Sequence, residues 1–296
     1  MHLEQLTEHV YYLASAVNCV IVKTSENNAV LIDTGQDKNY GRNLRKSLDS
    51  LGLRAVAIIN THSHADHYGG NDYLLRQYDN AQVYAPGFEA AIIQNPYLEP
   101  VYLFNGAKPL NELMSKWLMA KASHVDHILR VGKLLIDDFE FEIIDTSGHA
   151  HSHYSVLVDG VLLAADAIFG FEVFEKYPMP FGQDIGKQIE SCQKLLNYDC
   201  NIIVPGHGSP TSEIKDLVGK NIEIFNTVLN TVKDSCNGGS TEDVLEQTCL
   251  KLSINLTDIP RYYLNLCTIQ AYLSYLRETG KIELSLVSNR LNWVQV

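Results

Sequence analysis

The sequence predicts an α/β fold, and three observations lead to that prediction. Runs rich in β-forming residues alternate with runs of helical spacing through about residues 1–210. This alternation forms two similar halves, and each half ends near a histidine-rich turn. From about Glu213 the pattern becomes helical and closes with a predicted hairpin. A chain of 296 residues has room for one large domain or two.

The first half is predicted to contain five strands and two helices. Valine-, isoleucine- and tyrosine-rich runs bounded by turn residues mark strands at 10–14, 18–24, 29–35, 55–60 and 81–85. Apolar residues at helical spacing mark helices at 40–52 and 66–78, and Gly52 ends the first. Residues 96–123 break this rhythm, so we predict an irregular-to-helical insertion there, rich in aromatic side chains.

The second half repeats the alternation of strands and helices. Strands are predicted at 127–131, 139–145, 153–158, 160–165 and 200–208, with a helix at 185–197. A loop follows Asp166 and holds four of the nine phenylalanines of the chain: Phe169, Phe171, Phe174 and Phe181. Such a concentration of aromatic residues predicts either core packing or a pocket lining.

The C-terminal third predicts a separate small unit. The stretch "CNGGS" at 236–240 predicts a hinge, and helices are predicted at 241–252 and 261–280. Apolar residues alternate on both sides of a Ser-Asn turn, which predicts a β-hairpin. Helices followed by a hairpin form the outline of a winged helix. We therefore expect a hydrolase-type domain at 1–212, a connecting helix and hinge at 213–239, and a winged-helix-like unit at 240–296.

Composition limits the classes of partner and compartment. The formal net charge is −12, from 23 basic and 35 acidic residues, which argues against a nucleic-acid partner. The sequence lacks a long apolar run and a secretory leader pattern, so we expect no membrane span and a cytoplasmic protein. The six cysteines are scattered without a C-x-x-C pair, which predicts reduced thiols.

Potential metal ligands are concentrated in "NTHSHADHYGG" at 60–70. His62, His64, Asp66 and His67 lie within six consecutive positions directly after a predicted strand. Three further potential ligands follow other predicted strands: His149, Asp166 and His207. Strand ends at small-residue turns are common places for functional sites. Nitrogen and carboxylate ligands without cysteine suit Zn²⁺, with Fe or Mn²⁺ as alternatives.

These motifs, together with the earlier "LIDTG", resemble those of the metallo-β-lactamase superfamily in order and spacing over about residues 1–210. The resemblance implies an αββα sandwich with the site at one edge of its two sheets. It also implies two divalent metal ions, with Asp166 bridging them and Asp33 bracing the site from behind. The implied ligands are His62, His64 and His149 for the first ion, and Asp66, His67 and His207 for the second.

Two features favour particular branches of that superfamily. Position 166 is aspartate and not cysteine, which resembles glyoxalase II-like hydrolases, lactonases and phosphodiesterases. His153 follows His149 by four residues, a spacing similar to that of glyoxalase II and of β-lactamase-like endoribonucleases. The endoribonucleases also resemble this chain in their C-terminal winged helix.

The sequence therefore predicts a dinuclear metal-dependent hydrolase that uses a metal-bridging hydroxide on a small acyl substrate, such as a thioester or lactone. Asp66 would orient the hydroxide, and His153 would donate a proton or hydrogen bond to the developing oxyanion or leaving group. The aromatic segments at 97–117 and 169–181 would line the pocket.

Three other functions stay open. A phosphodiesterase or ribonuclease is suggested by His153 and the winged helix, but residues 240–296 hold 5 basic and 6 acidic side chains. An iron sulfur-dioxygenase needs only one metal, so the seven ligands argue against it. A non-enzymatic winged-helix regulator would lack a basic recognition face. We expect a small-molecule partner, and a homodimer is a further expectation because the hairpin's apolar face needs burial.

Overall fold

Two β-sheets packed face to face form the centre of the molecule, whose residues 2–296 are described by a computed structural model. The first sheet has seven strands in sequence order: β1 (His2–Gln5), β2 (Val10–Ala14), β3 (Cys19–Lys23), β4 (Asn28–Ile32), β5 (Arg54–Ile59), β6 (Gln82–Ala85) and β7 (His127–Ile128). The second has five: β8 (Gly132–Ile136), β9 (Phe139–Asp145), β10 (Tyr154–Val158), β11 (Val161–Phe169) and β12 (Ile202–His207).

Helices cover the outer face of each sheet. On the first sheet lies α1 (Lys38–Leu51), whose Leu44 and Leu48 are fully buried. On the second lie α7 (Ile185–Leu195) and α8 (Ile214–Lys233). The inner faces of both sheets share one apolar core, which is rich in valine and isoleucine. This arrangement confirms the αββα sandwich expected from the sequence.

The remaining helices are shorter or belong to the C-terminal part. They are α2 (Ala65–Tyr68), α3 (Asn71–Leu75), α4 (Gly87–Gln94), α5 (Leu98–Leu103), α6 (Val173–Lys176), α9 (Thr241–Lys251) and α10 (Ile259–Glu278), with a 3₁₀ turn at Asn111–Leu113. None of the helices among residues 2–296 combines the length and apolarity needed to cross a membrane. All six cysteines are free thiols, as expected from their spacing.

The single helix predicted at 66–78 is instead two short helices, α2 and α3. Gly69 and Gly70 separate them at a place where the chain runs against the loop after β4. A Cβ at Gly69 would lie 1.9 Å from the Gln36 carbonyl oxygen, and one at Gly70 would lie 2.4 Å from the Thr34 carbonyl oxygen. Close backbone approach therefore overrides the helical pattern at these positions.

The C-terminal part contains a three-stranded sheet as well as helices. β14 (Ile282–Val287) and β15 (Arg290–Gln295) form the predicted hairpin, with Ser288 and Asn289 at positive φ in its turn. The segment predicted as a hinge instead contributes β13 (Asn237–Gly239), which pairs with β15. Sequence reasoning missed this strand because its two glycines have low β propensity.

The hairpin buries only part of its apolar face. Ile282 and Trp293 pack on the helices of the C-terminal part. By contrast, Leu286 is 70% exposed and Leu291 is 49% exposed at the hairpin tip. The tip is therefore not buried within the chain, and burial of its apolar side chains against a second subunit stays a prediction.

Candidate metal centre

The seven potential ligands converge where the carboxyl ends of the parallel strands meet. His62 and His64 follow β5, Asp66 and His67 lie on α2, and His149 follows β9. Asp166 lies within β11, and His207 ends β12. These side chains form three groups, and within each group the ligand atoms lie within 4.8 Å of one another. The groups are His62, His64 and His149; His62, His67 and Asp166; and Asp66, His67 and His207.

A bulge in β11 turns the Asp166 carboxylate toward this edge. Ala165 has a φ of 45°, which is uncommon for a residue with a side chain, and the β11–β12 register shifts on both sides of it. Gly206 on β12 leaves room for the carboxylate, since a Cβ there would lie 1.8 Å from Asp166 Oδ1. Gly206 of the "GHG" at the end of β12 is thus required by the close approach of Asp166.

Three ring nitrogens converge in the first group. His64 Nδ1 lies 3.0 Å from His62 Nε2 and 2.9 Å from His149 Nε2. Burial lowers the pKa of His64 to about 4 and holds the pKa values of His62 and His149 well below their usual range. All three rings are therefore neutral at physiological pH.

The hydrogen bonds behind these rings define their tautomers. His149 Nδ1 donates to the Phe181 carbonyl oxygen (3.0 Å), which leaves a lone pair on His149 Nε2. Thr61 Oγ1 donates to Asp33 Oδ2 (2.8 Å), so it accepts from His62 Nδ1 (3.0 Å) and leaves a lone pair on His62 Nε2. Both lone pairs face His64 Nδ1, which can donate at most one proton, so at least one of the two nitrogens lacks a hydrogen bond. A cation at this point would satisfy all three nitrogens.

Asp166 lies between the first group and the second. Its Oδ1 is 3.2 Å from His67 Nε2, and its Oδ2 is 3.3 Å from His149 Nε2 and 3.4 Å from His207 Nε2. Asp66 Oδ2 lies 3.5 Å from His207 Nε2. Neither His67 Nε2 nor Asp166 Oδ1, both buried, makes a hydrogen bond. Orphaned buried polar atoms of this kind fit a second cation.

Charge in the second group differs from that in the first. Burial alone would lower the pKa of His207, but the Asp166 carboxylate raises that pKa to about 9. Burial would likewise raise the pKa of Asp166, but His207, His67 and His149 hold it well below its usual range. In the metal-free protein this group therefore carries protons that a divalent ion would displace.

Asp33 has the bracing position expected from the sequence. His67 Nδ1 donates to Asp33 Oδ2 (2.7 Å), which directs His67 Nε2 toward Asp166. The backbone N–H of Thr61 donates to Asp33 Oδ1 (2.9 Å) and ties the strand end before His62 to the same carboxylate. Asp33 has a φ of 57°, a left-handed conformation that aspartate and asparagine tolerate better than most residues.

The environment of His153 does not fit the substrate-donor role predicted from the sequence. The ring is fully buried, and Asp166 N–H donates to its Nε2 (3.2 Å). Its Nδ1 therefore carries the proton, which it donates to Thr146 Oγ1 (2.9 Å). Burial lowers the pKa of His153 to about 3. With both nitrogens engaged inside the protein, His153 braces the backbone of Asp166 and contacts the ring of His62.

Glu89 supports the site and was missed by the sequence analysis. Its side chain is 2% exposed and accepts hydrogen bonds from the backbone and hydroxyl of Ser63, and from Ser152 N–H (3.1 Å). It thereby joins the loop that carries His62 and His64 to the loop that follows His149. A lone glutamate on an otherwise ordinary helix gives no sequence signal for this role.

Phenylalanines from the loop after Asp166 flank the histidines. The Phe181 ring centroid lies 5.2 Å from that of His64 and 5.5 Å from that of His149. Phe169 stacks at 6.3 Å on His207. Phe174 instead belongs to the core under α8, and Phe171 is 41% exposed. Phe169 is itself 5% exposed and packs in the same core as Phe174, so the pocket expected from segment 169–181 depends mainly on Phe181.

Comparisons with known proteins agree with this geometry. Residues 13–207 match the metallo-beta-lactamase superfamily. A probable metallo-hydrolase of Methanocaldococcus jannaschii is 28% identical over 185 residues, which are 60% of this chain and 82% of that protein. A hydroxyacylglutathione hydrolase of Xanthomonas axonopodis pv. citri is 25% identical over 145 residues, 49% of this chain and 44% of that protein.

A solved structure extends the similarity of fold to nearly the whole chain. A metallo-beta-lactamase family protein from Thermus thermophilus superposes with a TM-score of 0.76 at 20% identity, over 99% of this chain and 100% of that one. The shared fold thus includes the C-terminal part. Because the family match spans most of the chain, including all seven potential ligands, the protein belongs to the metallo-beta-lactamase superfamily and is a metallo-hydrolase.

Proposed function

We propose that this metallo-hydrolase binds two divalent ions, zinc first among them, and hydrolyses a small acyl substrate such as a thioester or lactone. One observation supports the dinuclear site above all. Asp166 touches His149 of one ligand group and His67 and His207 of the other, at 3.2–3.4 Å. A carboxylate between two such groups suits a bridging position. His62, His64 and His149 would hold one ion, and Asp66, His67 and His207 the other.

When bound, the two ions would lower the pKa of a water molecule between them and polarise the acyl oxygen. The chain's own groups would do the rest. The Asp66 side chain is 30% exposed, whereas that of Asp166 is 5% exposed. Asp66 is therefore the ligand carboxylate that an attacking water can reach. Its free oxygen would accept a hydrogen bond from that water and orient it. Phe169 and Phe181 would exclude bulk water from the reacting group.

The acyl preference is supported by the lining of the site and by one relative. The partly exposed Phe181 presents apolar surface beside His64 and His149, which suits an acyl chain better than a polyanion. The Xanthomonas relative is named a hydroxyacylglutathione hydrolase, a thioester-cleaving activity. This chain spans under half of that relative, so the relative's substrate is only a guide to the class.

A phosphodiesterase or ribonuclease is the second candidate, and the C-terminal part is the observation that favours it. We propose that residues 240–296 form a winged-helix-like unit after a hydrolase domain at 1–212. It holds only five basic side chains, however, and two of them are paired with acids. Arg261 lies 3.3 Å from Asp258, and Arg290 pairs with Asp243. Phosphate-backbone binding requires free lysine and arginine. We therefore expect no specific nucleic-acid complex.

The test is a substrate screen on protein reloaded with Zn²⁺ or Mn²⁺. Thioesters, lactones and phosphodiesters would be compared in the wild type, in His149→Ala and in His124→Ala, a surface histidine 63% exposed in its side chain. We expect chelator-sensitive hydrolysis of an acyl substrate that is lost in His149→Ala and kept in His124→Ala. Faster cleavage of a phosphodiester than of every acyl substrate would favour the second candidate.

A further inference from the structure

The part of β11 that carries Asp166 departs from the regular sheet ladder. β11 pairs with β10 only as far as Leu163, and its register with β12 shifts between Leu163 and Ala165 and again before Phe169. Asp166 and Ala167 lie in this irregular stretch and are 3% and 0% exposed. Buried peptide groups that lose ladder partners need others, so side chains from neighbouring elements can hold them.

Gln188 of α7 holds the two carbonyl groups of this stretch. Its Nε2 donates to the carbonyl oxygens of Asp166 (3.2 Å) and Ala167 (3.0 Å). On the other side, the Asp166 N–H donates to His153 Nε2 (3.2 Å). Gln188 and His153 are both fully buried. The peptide groups before and after the Asp166 Cα are thus fixed, and with them the direction in which the carboxylate leaves the backbone.

The amide of Gln188 acts only as a donor. Its Oε1 is buried and makes no hydrogen bond, which is unfavourable. A leucine or methionine at this position would remove that cost, but it would leave the Asp166 carbonyl oxygen without a side-chain donor. The geometry therefore links this glutamine to the two bonds that its Nε2 makes, and not to the filling of space between α7 and β11.

The same helix also reaches the loop that carries His149. The backbone N–H of Asp184, the residue before α7, donates to the carbonyl oxygen of Gly148 (2.9 Å). Gly148 has no room for a side chain, because a Cβ there would lie 2.4 Å from the Gln188 backbone nitrogen. One helix therefore contacts the segments that carry Asp166 and His149, and Asp166 Oδ2 lies 3.3 Å from His149 Nε2.

We propose that Gln188 is a positioning residue of the metal centre, which fixes the backbone of Asp166 so that the carboxylate lies between the two ligand groups. It touches neither the metal ions nor the substrate and acts through Asp166. This inference rests on the bridging role proposed for Asp166 and adds to it the residue that maintains the bridging geometry. Groups that orient metal ligands in this way typically contribute a factor of about 10–100 to metal affinity.

The experiment measures Zn²⁺ affinity by competition with a chelator. Gln188→Leu, which removes the donor, should bind Zn²⁺ about 10–100-fold more weakly than the wild type. If Gln188→Leu does not fold, Gln188→Met serves in its place.

Two control variants separate metal affinity from general stability. Val232→Ala removes part of a fully buried side chain in the C-terminal core, away from the ligands. Both Val232→Ala and Gln188→Leu should lower the melting temperature of the metal-free protein, but only Gln188→Leu should lose Zn²⁺ affinity. Gln193→Leu alters an exposed glutamine of the same helix and should match the wild type in both measurements.

A double-mutant cycle tests whether Gln188 acts through Asp166. In Asp166→Ala, the further change Gln188→Leu should alter the affinity for the ion that remains by less than about twofold, because the carboxylate that Gln188 positions is already absent. Undiminished Zn²⁺ affinity in Gln188→Leu, or an equal loss in Val232→Ala or in the Asp166→Ala background, would overturn the inference and leave the proposed two-ion site standing. A wild type that binds fewer than two ions would overturn that site and this inference with it.

Discussion

The metal-site edge of the sandwich and the C-terminal part bury opposite kinds of atoms. At the metal-site edge, buried histidines and carboxylates crowd together, and His67 Nε2 and Asp166 Oδ1 lie 3.2 Å apart without a hydrogen bond. In the C-terminal part, α9, α10 and the hairpin bury leucine, isoleucine and tyrosine against α8. Two buried hydroxyls of the C-terminal part, those of Thr248 and Tyr272, also lack hydrogen bonds, so the difference lies in the cluster of ionisable metal-binding groups at the metal-site edge. A buried cluster of that kind is unfavourable without a ligand, whereas apolar burial stabilises by itself. The comparison therefore assigns chemistry to the first region and support to the second.

The C-terminal part also supports the site indirectly. Phe104 in the insertion packs edge-on against Tyr263 of α10, with ring centroids 5.3 Å apart. Leu103, Leu113 and Leu118 join the same cluster, and Glu99 and Tyr102 lie on the helix that carries Leu103. Met179 and Ile185, which flank Gln183, belong to the C-terminal core. The region without ligands thus packs against the insertion and the loop that lie next to the metal centre.

The largest expected effect comes from removing the carboxylate between the two ligand groups. Asp166→Ala should lose one metal and reduce kcat/KM by roughly 10³-fold or more, because an ion's charge stabilisation is worth several kcal/mol. Circular dichroism should show the fold retained. Wild-type activity and metal content in this variant would contradict the bridging assignment.

A smaller effect is expected when the His153 ring, which accepts a hydrogen bond from the Asp166 backbone, is removed. His153→Ala leaves the Asp166 N–H without its acceptor and opens a cavity beside His62, which together should cost roughly 3 kcal/mol of unfolding free energy. Metal affinity should fall as well, because the ligands lose their support. His124→Ala is the matched control. Unchanged stability and metal content with slow turnover would restore the direct catalytic role predicted from the sequence.

A substitution at Asp33 tests the hydrogen bond that orients a single ligand, His67. Asp33→Asn keeps the left-handed backbone but weakens the acceptor for His67 Nδ1, so affinity at the Asp66–His67–His207 site should fall about 10–100-fold. Competition with a chelator measures this. Asp138→Asn alters another aspartate at positive φ, on an exposed turn, and should have no effect. Equal affinities for wild type and Asp33→Asn would remove Asp33 from the site.

The smallest effect should come from the C-terminal part. Tyr263→Leu removes the aromatic pair with Phe104 and should lower the unfolding free energy by about 1 kcal/mol, while metal content stays constant. Leu286→Ala at the exposed hairpin tip should stay within about 0.5 kcal/mol of wild type. Metal loss in Tyr263→Leu would show that the two regions are not separable in this way.

The sequence predicts the metal-site edge better than its surroundings, for a physical reason. Ligands must follow strand ends at fixed spacing, so "THSHADH" and "VPGHG" are visible as motifs. The support from Glu89 depends on a helix that meets the ligand-bearing loops only in three dimensions. Glu89 has no neighbour in sequence that shares its role. His153 illustrates the limit from the other side: its spacing from His149 is conspicuous, but burial decides what its nitrogens contact.

The central claim is that each chain binds two divalent ions, and elemental analysis tests it most directly. Purified protein is dialysed against excess Zn²⁺ or Mn²⁺ and then freed of unbound metal. Its metal content is measured by inductively coupled plasma mass spectrometry, and its concentration by amino-acid analysis. The account predicts close to two ions per chain. One tightly bound ion, with no second site filled under added Zn²⁺ or Mn²⁺, would contradict it.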